Sequence, residues 1–255
     1  VSRARARLAA VTGLLFAALF VASLLLLHRA PGLDDPDARY ASFQASGGDG
    51  LFVAVGLYLV PLAGIAFLWH MTAMRALLDT LTPAPAAMAH GLNLLSGVLF
   101  VAMLFAATAA ASAPALASWL GNASPVEPDV SRALTAVGYA LFFVFAVRGA
   151  GMYAITTTTL LRNGGVLPGP VAVVGYLLAA FLLLTASTDL VSALVLPAWV
   201  VLVAVSLVVH ARRAVTTPAA EPPATGPSVT EPPATEPPAT GPPATEPPAT
   251  EQSTT

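Results

Sequence analysis

The sequence predicts an all-α protein, a polytopic transmembrane helical bundle of six spans followed by a disordered C-terminal tail. Three observations predict it. The chain contains six apolar stretches, Leu8 to Leu27, Leu51 to Trp69, Leu92 to Ala111, Ala133 to Ile155, Val171 to Thr188 and Leu190 to Val209. Each approaches the roughly 20 residues a helix needs to cross about 30 Å of hydrocarbon, where only a helix or a closed barrel satisfies its own backbone. Of its 255 residues, 56% are hydrophobic and only 9% charged, against about 25% charged in soluble domains. Past the last stretch the composition changes to a proline-rich pentapeptide repeat. The domains expected are therefore 1–215, the six-helix unit, and 216–255, the tail.

The first stretch follows Arg3, Arg5 and Arg7. A basic start leading into an apolar run also describes a signal peptide, but this run exceeds the roughly 7–15 residues of a signal core. His28-Arg29-Ala30-Pro31 is no small-residue cleavage site either, so an uncleaved first span is expected. The connection His28 to Gly50 is the longest and most polar, with Asp34, Asp35, Asp37, Asp49, Arg39 and Tyr40. It reads either as a lid or binding loop or as a solvated connector. Pro61 predicts a kink in the second span, because proline frees a carbonyl one turn back. Beyond Trp69, Met71, Met74, Leu78 and Leu81 keep one apolar face until Pro83 and Pro85 break the helix.

After the third span, Pro114 to Arg132 reads as a loop whose Trp119 suits the headgroup layer. Asn122-Ala123-Ser124 matches a glycosylation acceptor weakly, since Pro125 follows. Between the fourth and fifth spans, Gly164 and Gly165 permit a tight reversal, and Pro168 and Pro170 suit a turn and a helix start. Between the fifth and sixth, Ser187, Thr188 and Asp189 mark a hairpin, where Thr188 or Asp189 can cap the sixth helix. Pro197 predicts a second kink.

From Glu221 onward, Glu-Pro-Pro-Ala-Thr occurs four times and Gly241-Pro242-Pro243-Ala244-Thr245 once. Proline pairs without large apolar residues cannot build a core, so the tail is expected to be disordered and extended. It lacks Pro-x-x-Pro, which removes the basis for an SH3-type ligand; a spacer and a docking tail both remain open.

Arginine placement predicts orientation. Arg75 and Arg162 share a side with Arg3, Arg5, Arg7, Arg212 and Arg213, against Arg29, Arg39 and Arg132 opposite. Because basic residues near span ends are retained inside, both termini are expected in the cytoplasm. The formal net charge of −2 conceals a mildly basic helical part, as five of the six glutamates lie in the tail. No basic patch for nucleic acid results.

Arg148 is the sharpest chemical feature, placed within the fourth span roughly 20 Å from either end at 1.5 Å per residue. A guanidinium there is costly unless it meets protein, water or a partner. It reads either as part of an anion or proton path or as an arginine that snorkels or bonds neighbouring carbonyls. Asp189 is the only acid beside a membrane core, and the two form the candidate intramembrane polar site. Tyr58, Tyr139, Tyr153, Tyr176, Asn93 and Thr156 to Thr159 supply further hydrogen-bonding groups, while Gly149 and Gly151 admit a close helix neighbour. His70, Met71, Met74, Met88 and His90 cluster on one side with copper(I)-type donors, but their spacing matches no metal motif. No cysteine is present, and no His-Glu-x-x-His, phosphate-binding glycine loop or Gly-x-Ser-x-Gly occurs. The expectation is therefore no metal, no cofactor and no enzyme.

Four segments carry a family resemblance: Arg5 to Ala10, Phe67 to Arg75, Arg162 to Pro168, and Leu196 to Trp199. On these the stretch from Arg3 to Arg213 resembles a family of bacterial multi-pass membrane proteins, the domain of unknown function number forty-three eighty-six. The resemblance implies a six-helix membrane domain in the bacterial cytoplasmic membrane and transfers no reaction or catalytic residue. Together these readings lead to a non-enzymatic membrane component or partner-binding protein whose surroundings are the lipid bilayer. The alternative is a carrier for a small anionic or amphipathic solute that uses Arg148.

Overall fold

A computed structural model of the chain describes residues 3–81, 87–121, 126–185 and 189–216. The breaks predicted at Pro83 and Pro85, the acceptor at Asn122, Ser187 with Thr188, and the tail from 217 onward lie outside the described residues. Among the described residues there is no strand.

The helices are α1 (Arg3–Leu27), α2 (Asp37–Ala45), α3 (Gly48–Ala54), α4 (Val60–Leu81), α5 (Ala87–Gly121), α6 (Pro128–Tyr139), α7 (Val147–Asn163), α8 (Gly169–Leu184) and α9 (Leu190–Thr216). Five rods are long and apolar enough to cross a membrane: Ala4–Leu27, Gly48–Leu81, Met88–Gly121, Pro128–Asn163 and Val191–Arg212. The shorter apolar helix Gly169–Leu184 accompanies them. Their outward surface is apolar: Leu15, Leu25, Leu62, Leu95, Phe145 and Leu177 are exposed. A water-soluble surface rarely carries apolar area this continuous, so the apolar rods are those of a membrane-spanning protein.

Two rods contain wide turns of π type, over Val55–Leu59 and Ala140–Ala146. The first has a visible cause. Pro61 has no amide hydrogen to return to the preceding turn, and the ladder widens just before it, with Val60 N–H donating to the Val55 carbonyl. The rod from Ala87 to Gly121 continues through Pro114, so Trp119 sits on the same helix as the third span and not on a connection after Ala111. Capping explains the shorter starts and stops. Pro128 opens α6 with Asp129 in its first turn, where a carboxylate favours the free amides. At the end of α7, Gly165 takes a φ of 70°, and Val166 N–H reaches the Leu161 carbonyl while Gly165 N–H reaches that of Arg162. This is the glycine-terminated reversal that the Gly164-Gly165 pair predicts.

Close contacts set the antiparallel registers. Arg5 donates to the Ala76 carbonyl, joining the start of α1 to the end of α4. Along α4 and α5, Gly56 faces Ser112, Gly64 faces Phe105, and Gly97 faces Met71. Gly138 and Gly149 bring α6 and α7 against the backbone of α5 at Ala107 and Phe100. Gly151 meets Leu183, and Gly175 meets Thr158, pairing α7 with α8. The core between them is aromatic, with Phe16, Phe67 and Phe100 in mutual contact and Tyr153 against Phe67 at 5.1 Å. One end of the bundle gathers Arg7, Arg75, Arg162 and Arg212; the other is covered by α2 and α3.

Candidate functional site

Arg148 follows directly on the second set of wide turns. There Val147 N–H donates to the Phe142 carbonyl, and the change back to α-type bonding leaves the ladder short of an amide for a neighbouring carbonyl. The guanidinium fills that gap. Its Nη1 donates to the carbonyls of Phe143 at 3.2 Å and Val144 at 2.6 Å. Among the described residues its hydrogen bonds go to its own helix. Extending the α7/α8 register outward from the Gly151 and Leu183 contact brings Arg148 level with the end of α8. The hydrogen bond from Trp199 to Thr158 sets α9 parallel to α7, and the same extension brings Arg148 level with Asp189. Asp189 is exposed at the head of α9, its backbone carbonyl accepting from Ser192 and Ala193 N–H. The two candidate residues thus share a depth, where two helices begin and end, but no hydrogen bond joins them among the described residues.

Toward the arginine end, a buried polar core binds α5 to α7. Asn93 Nδ2 lies 2.9 Å from Thr156 Oγ1 and 2.7 Å from Thr157 Oγ1. Thr158 accepts from Trp199 Nε1 at 3.2 Å, and Thr159 pairs with the Tyr176 hydroxyl at 3.0 Å. The threonine run Thr156 to Thr159 therefore meets α5, α8 and α9. His70 belongs to this core, fully buried, with Nδ1 2.8 Å from the Ala9 carbonyl. A carbonyl only accepts, so Nδ1 carries the proton and Nε2 is an acceptor. His70 Nε2 has no hydrogen-bond partner among the described residues. The copper-type donors are not brought together. Met71 and Met74 are core residues, whereas Met88 is 79% exposed. Among the described residues no group of three His, Cys, Asp or Glu side chains could hold a metal ion.

The capped end holds two cavities, which the sequence does not predict. The larger, about 160 Å³, lies at the level of both sets of wide turns and is walled by Phe20, Leu24 and Leu27 of α1, Leu104 and Ala107 of α5, and Phe142 and Phe143. Small residues make the space: Ala107, Ala111, Gly138 and Ala193 all face it. Two of its hydroxyls are satisfied by their own helices, since Ser23 donates to the Leu19 carbonyl and Thr108 to that of Leu104, and Tyr139 also lines it. The smaller, about 30 Å³, lies under α2 and α3 among Tyr40, Gln44, Asp49, Ser131 and Thr135, and Ala111 lines both.

The connection between α1 and α3 is an ordered cap. Arg132 donates to Asp37 at 2.7 Å, to Asp129 at 2.8 Å and to the Asp35 carbonyl at 3.1 Å, and lies over the Tyr40 ring. The Tyr40 hydroxyl donates to the Gly32 carbonyl at 2.9 Å. Burial pushes the Tyr40 phenol above its ordinary value of 10, against the opposing pull of Arg132. Asp49 accepts from Ser118, and Gln44 donates to the Val126 carbonyl.

Comparison of the chain with protein-family models, with curated proteins and with solved structures finds no match.

Proposed function

We propose that the chain is a six-span protein of the bacterial cytoplasmic membrane, with both termini inside, acting as a non-enzymatic binding component for a small amphipathic molecule. One observation carries the reading: toward its capped end the bundle holds a half-open, mainly apolar cavity beneath an ordered polar cap. A cavity lined mainly by apolar side chains with a few polar groups is the usual form of a small-molecule site. The anionic form of the carrier alternative draws less support, because among the described residues the hydrogen bonds of Arg148 go to the Phe143 and Val144 carbonyls of its own helix. Kinship with the family of unknown function named above remains a proposal of fold alone.

The fifth of the six spans is α8, the one shorter than the other rods. Its 16 residues reach about 24 Å at 1.5 Å per residue, short of a full crossing but long enough with a polar connection at each end. Leu177, Phe181 and Leu184 face outward, while Ala172, Gly175 and Ala179 pack inward.

The absence of cysteine makes the test direct. Single substitutions Ser42→Cys, Asn122→Cys and Ser187→Cys should react with an impermeant maleimide in intact cells, and Asn163→Cys and Ser228→Cys only after lysis. Labelling of Ser228→Cys in intact cells would leave five spans and overturn the reading.

A further inference from the structure

The two cavities at the capped end differ in chemistry and meet at one residue. Below Ala111 the space is mainly apolar, with the Ser23 and Thr108 hydroxyls bonded back to their own helices and Tyr139 and His28 as its other polar side chains. Above it the space carries more polar side chains and holds an unsatisfied group: Ser131 is 6% exposed, and its Oγ has no hydrogen-bond partner among the described residues. A buried hydroxyl without a partner is destabilising, so its retention at a cavity wall points to a group that binds there. Asp49 stands on the same wall. A carboxylate beside the head position repels an anion and accepts from a donor.

We infer that this pair of cavities is a binding site for a neutral single-chain amphiphile with a hydroxyl head. The head occupies the small chamber, accepting from Ser131 Oγ and donating toward Asp49, and the first part of the chain fills the apolar chamber below Ala111. Size agrees on both counts. A cavity of about 30 Å³ holds one water-sized group, and an apolar cavity of about 150 Å³ takes a ligand the size of benzene. The larger chamber therefore accommodates roughly six carbons. The inference rests on the binding-protein reading and fixes the class of ligand; it does not depend on how many times the chain crosses the membrane, so the cysteine test can fail independently.

The probe is 1-octanol bearing a diazirine in mid-chain, photolysed with the full chain in lipid nanodiscs, the adducts being mapped by peptide mass spectrometry. Adducts concentrated on Leu104, Tyr139 and Phe142 are expected, with unlabelled octanol competing at least tenfold better than octanoate. Ala107→Leu, which fills the apolar chamber, should cut those adducts at least fivefold. Ser131→Ala should weaken octanol competition at least threefold, and because it removes only an unpartnered hydroxyl it carries the test if Ala107→Leu does not fold. Adducts spread equally over outward-facing Leu25, Leu62 and Leu95, octanoate competing as well as octanol, or unaltered competition in Ser131→Ala would each overturn the inference.

Discussion

His70 Nδ1 lies 2.8 Å from the Ala9 carbonyl oxygen, a buried hydrogen bond that ties α4 to α1. Gly13, one turn along α1, makes room for the same ring. A methyl group at Gly13 would fall 2.8 Å from His70 Nδ1 and 3.0 Å from a Val200 methyl. Gly13→Ala is expected to lower stability by about 1–3 kcal/mol through overpacking at this three-helix contact. Thermal unfolding in detergent would show it, and His70→Ala combined with Gly13→Ala should recover part of the loss. A double variant no more stable than additivity predicts would refute the shared contact.

Asn93 is the polar link between α5 and α7. Asn93→Leu is expected to cost about 1–2 kcal/mol, since its amide hydrogens reach both Thr156 and Thr157. Asn93→Asp should cost more, because an ionised carboxylate has no hydrogen to donate and would be buried. Equal unfolding temperatures for the two variants would count against this.

Arg148 is expected to be tolerant. Its hydrogen bonds go to carbonyls of the preceding turn, and it lies level with helix ends, so Arg148→Lys and Arg148→Gln should shift stability by no more than about 1 kcal/mol. Added sulfate should stabilise wild type and variant alike. A sulfate-dependent rise in unfolding temperature seen only in the wild type would restore the anion-binding reading.

The cap should open separately from the bundle. Arg132→Ala removes contacts to Asp37, Asp129, the Asp35 carbonyl and the Tyr40 ring. Faster proteolysis between Asp34 and Ser46 is expected, with little change in the unfolding of the rods. High salt should act in the same direction on the wild type, since these ion pairs are largely exposed.

Tyr40 gives the cap an alkaline limit. Its phenol titrates above 10 in the folded state, so the neutral form is favoured by folding. The resulting stability is fully present below pH 10 and is lost as pH rises through the folded value. Proteolysis of the cap should therefore accelerate above pH 10 in the wild type and show a weaker pH dependence in Tyr40→Phe. Identical profiles would refute the assignment.

Helix positions were largely legible because burial in lipid writes itself as length and apolarity: the stretches beginning at Leu8, Leu51, Leu92, Ala133 and Leu190 each fall within one rod. The third stretch reads as ending at Ala111, yet the helix runs on to Gly121, because the proline at 114 costs it only one hydrogen bond. The wide turn before Pro61 was legible only as a proline kink, and the one before Arg148 left no mark of its own. His70 read as part of a methionine-rich cluster, yet a three-helix contact buries it, a fact that depends on Gly13 and Val200 far away in sequence. The cavities were illegible for the same reason. They arise where alanines and a glycine from three helices coincide, and nothing in any one segment announces that coincidence.

The wide turns over Val55–Leu59 and Ala140–Ala146 separate two rotational phases within single rods. Each works as a spacer that lets the cap side and the arginine side of the rod choose their facing residues independently. Loss of a single residue there would be absorbed as the wide turn closes to ordinary α-helical winding, leaving the facing of the rod beyond it largely unchanged. Length changes at these two points are thus a route by which the chamber walls can be exchanged while the rest of the barrel of helices stays as it is.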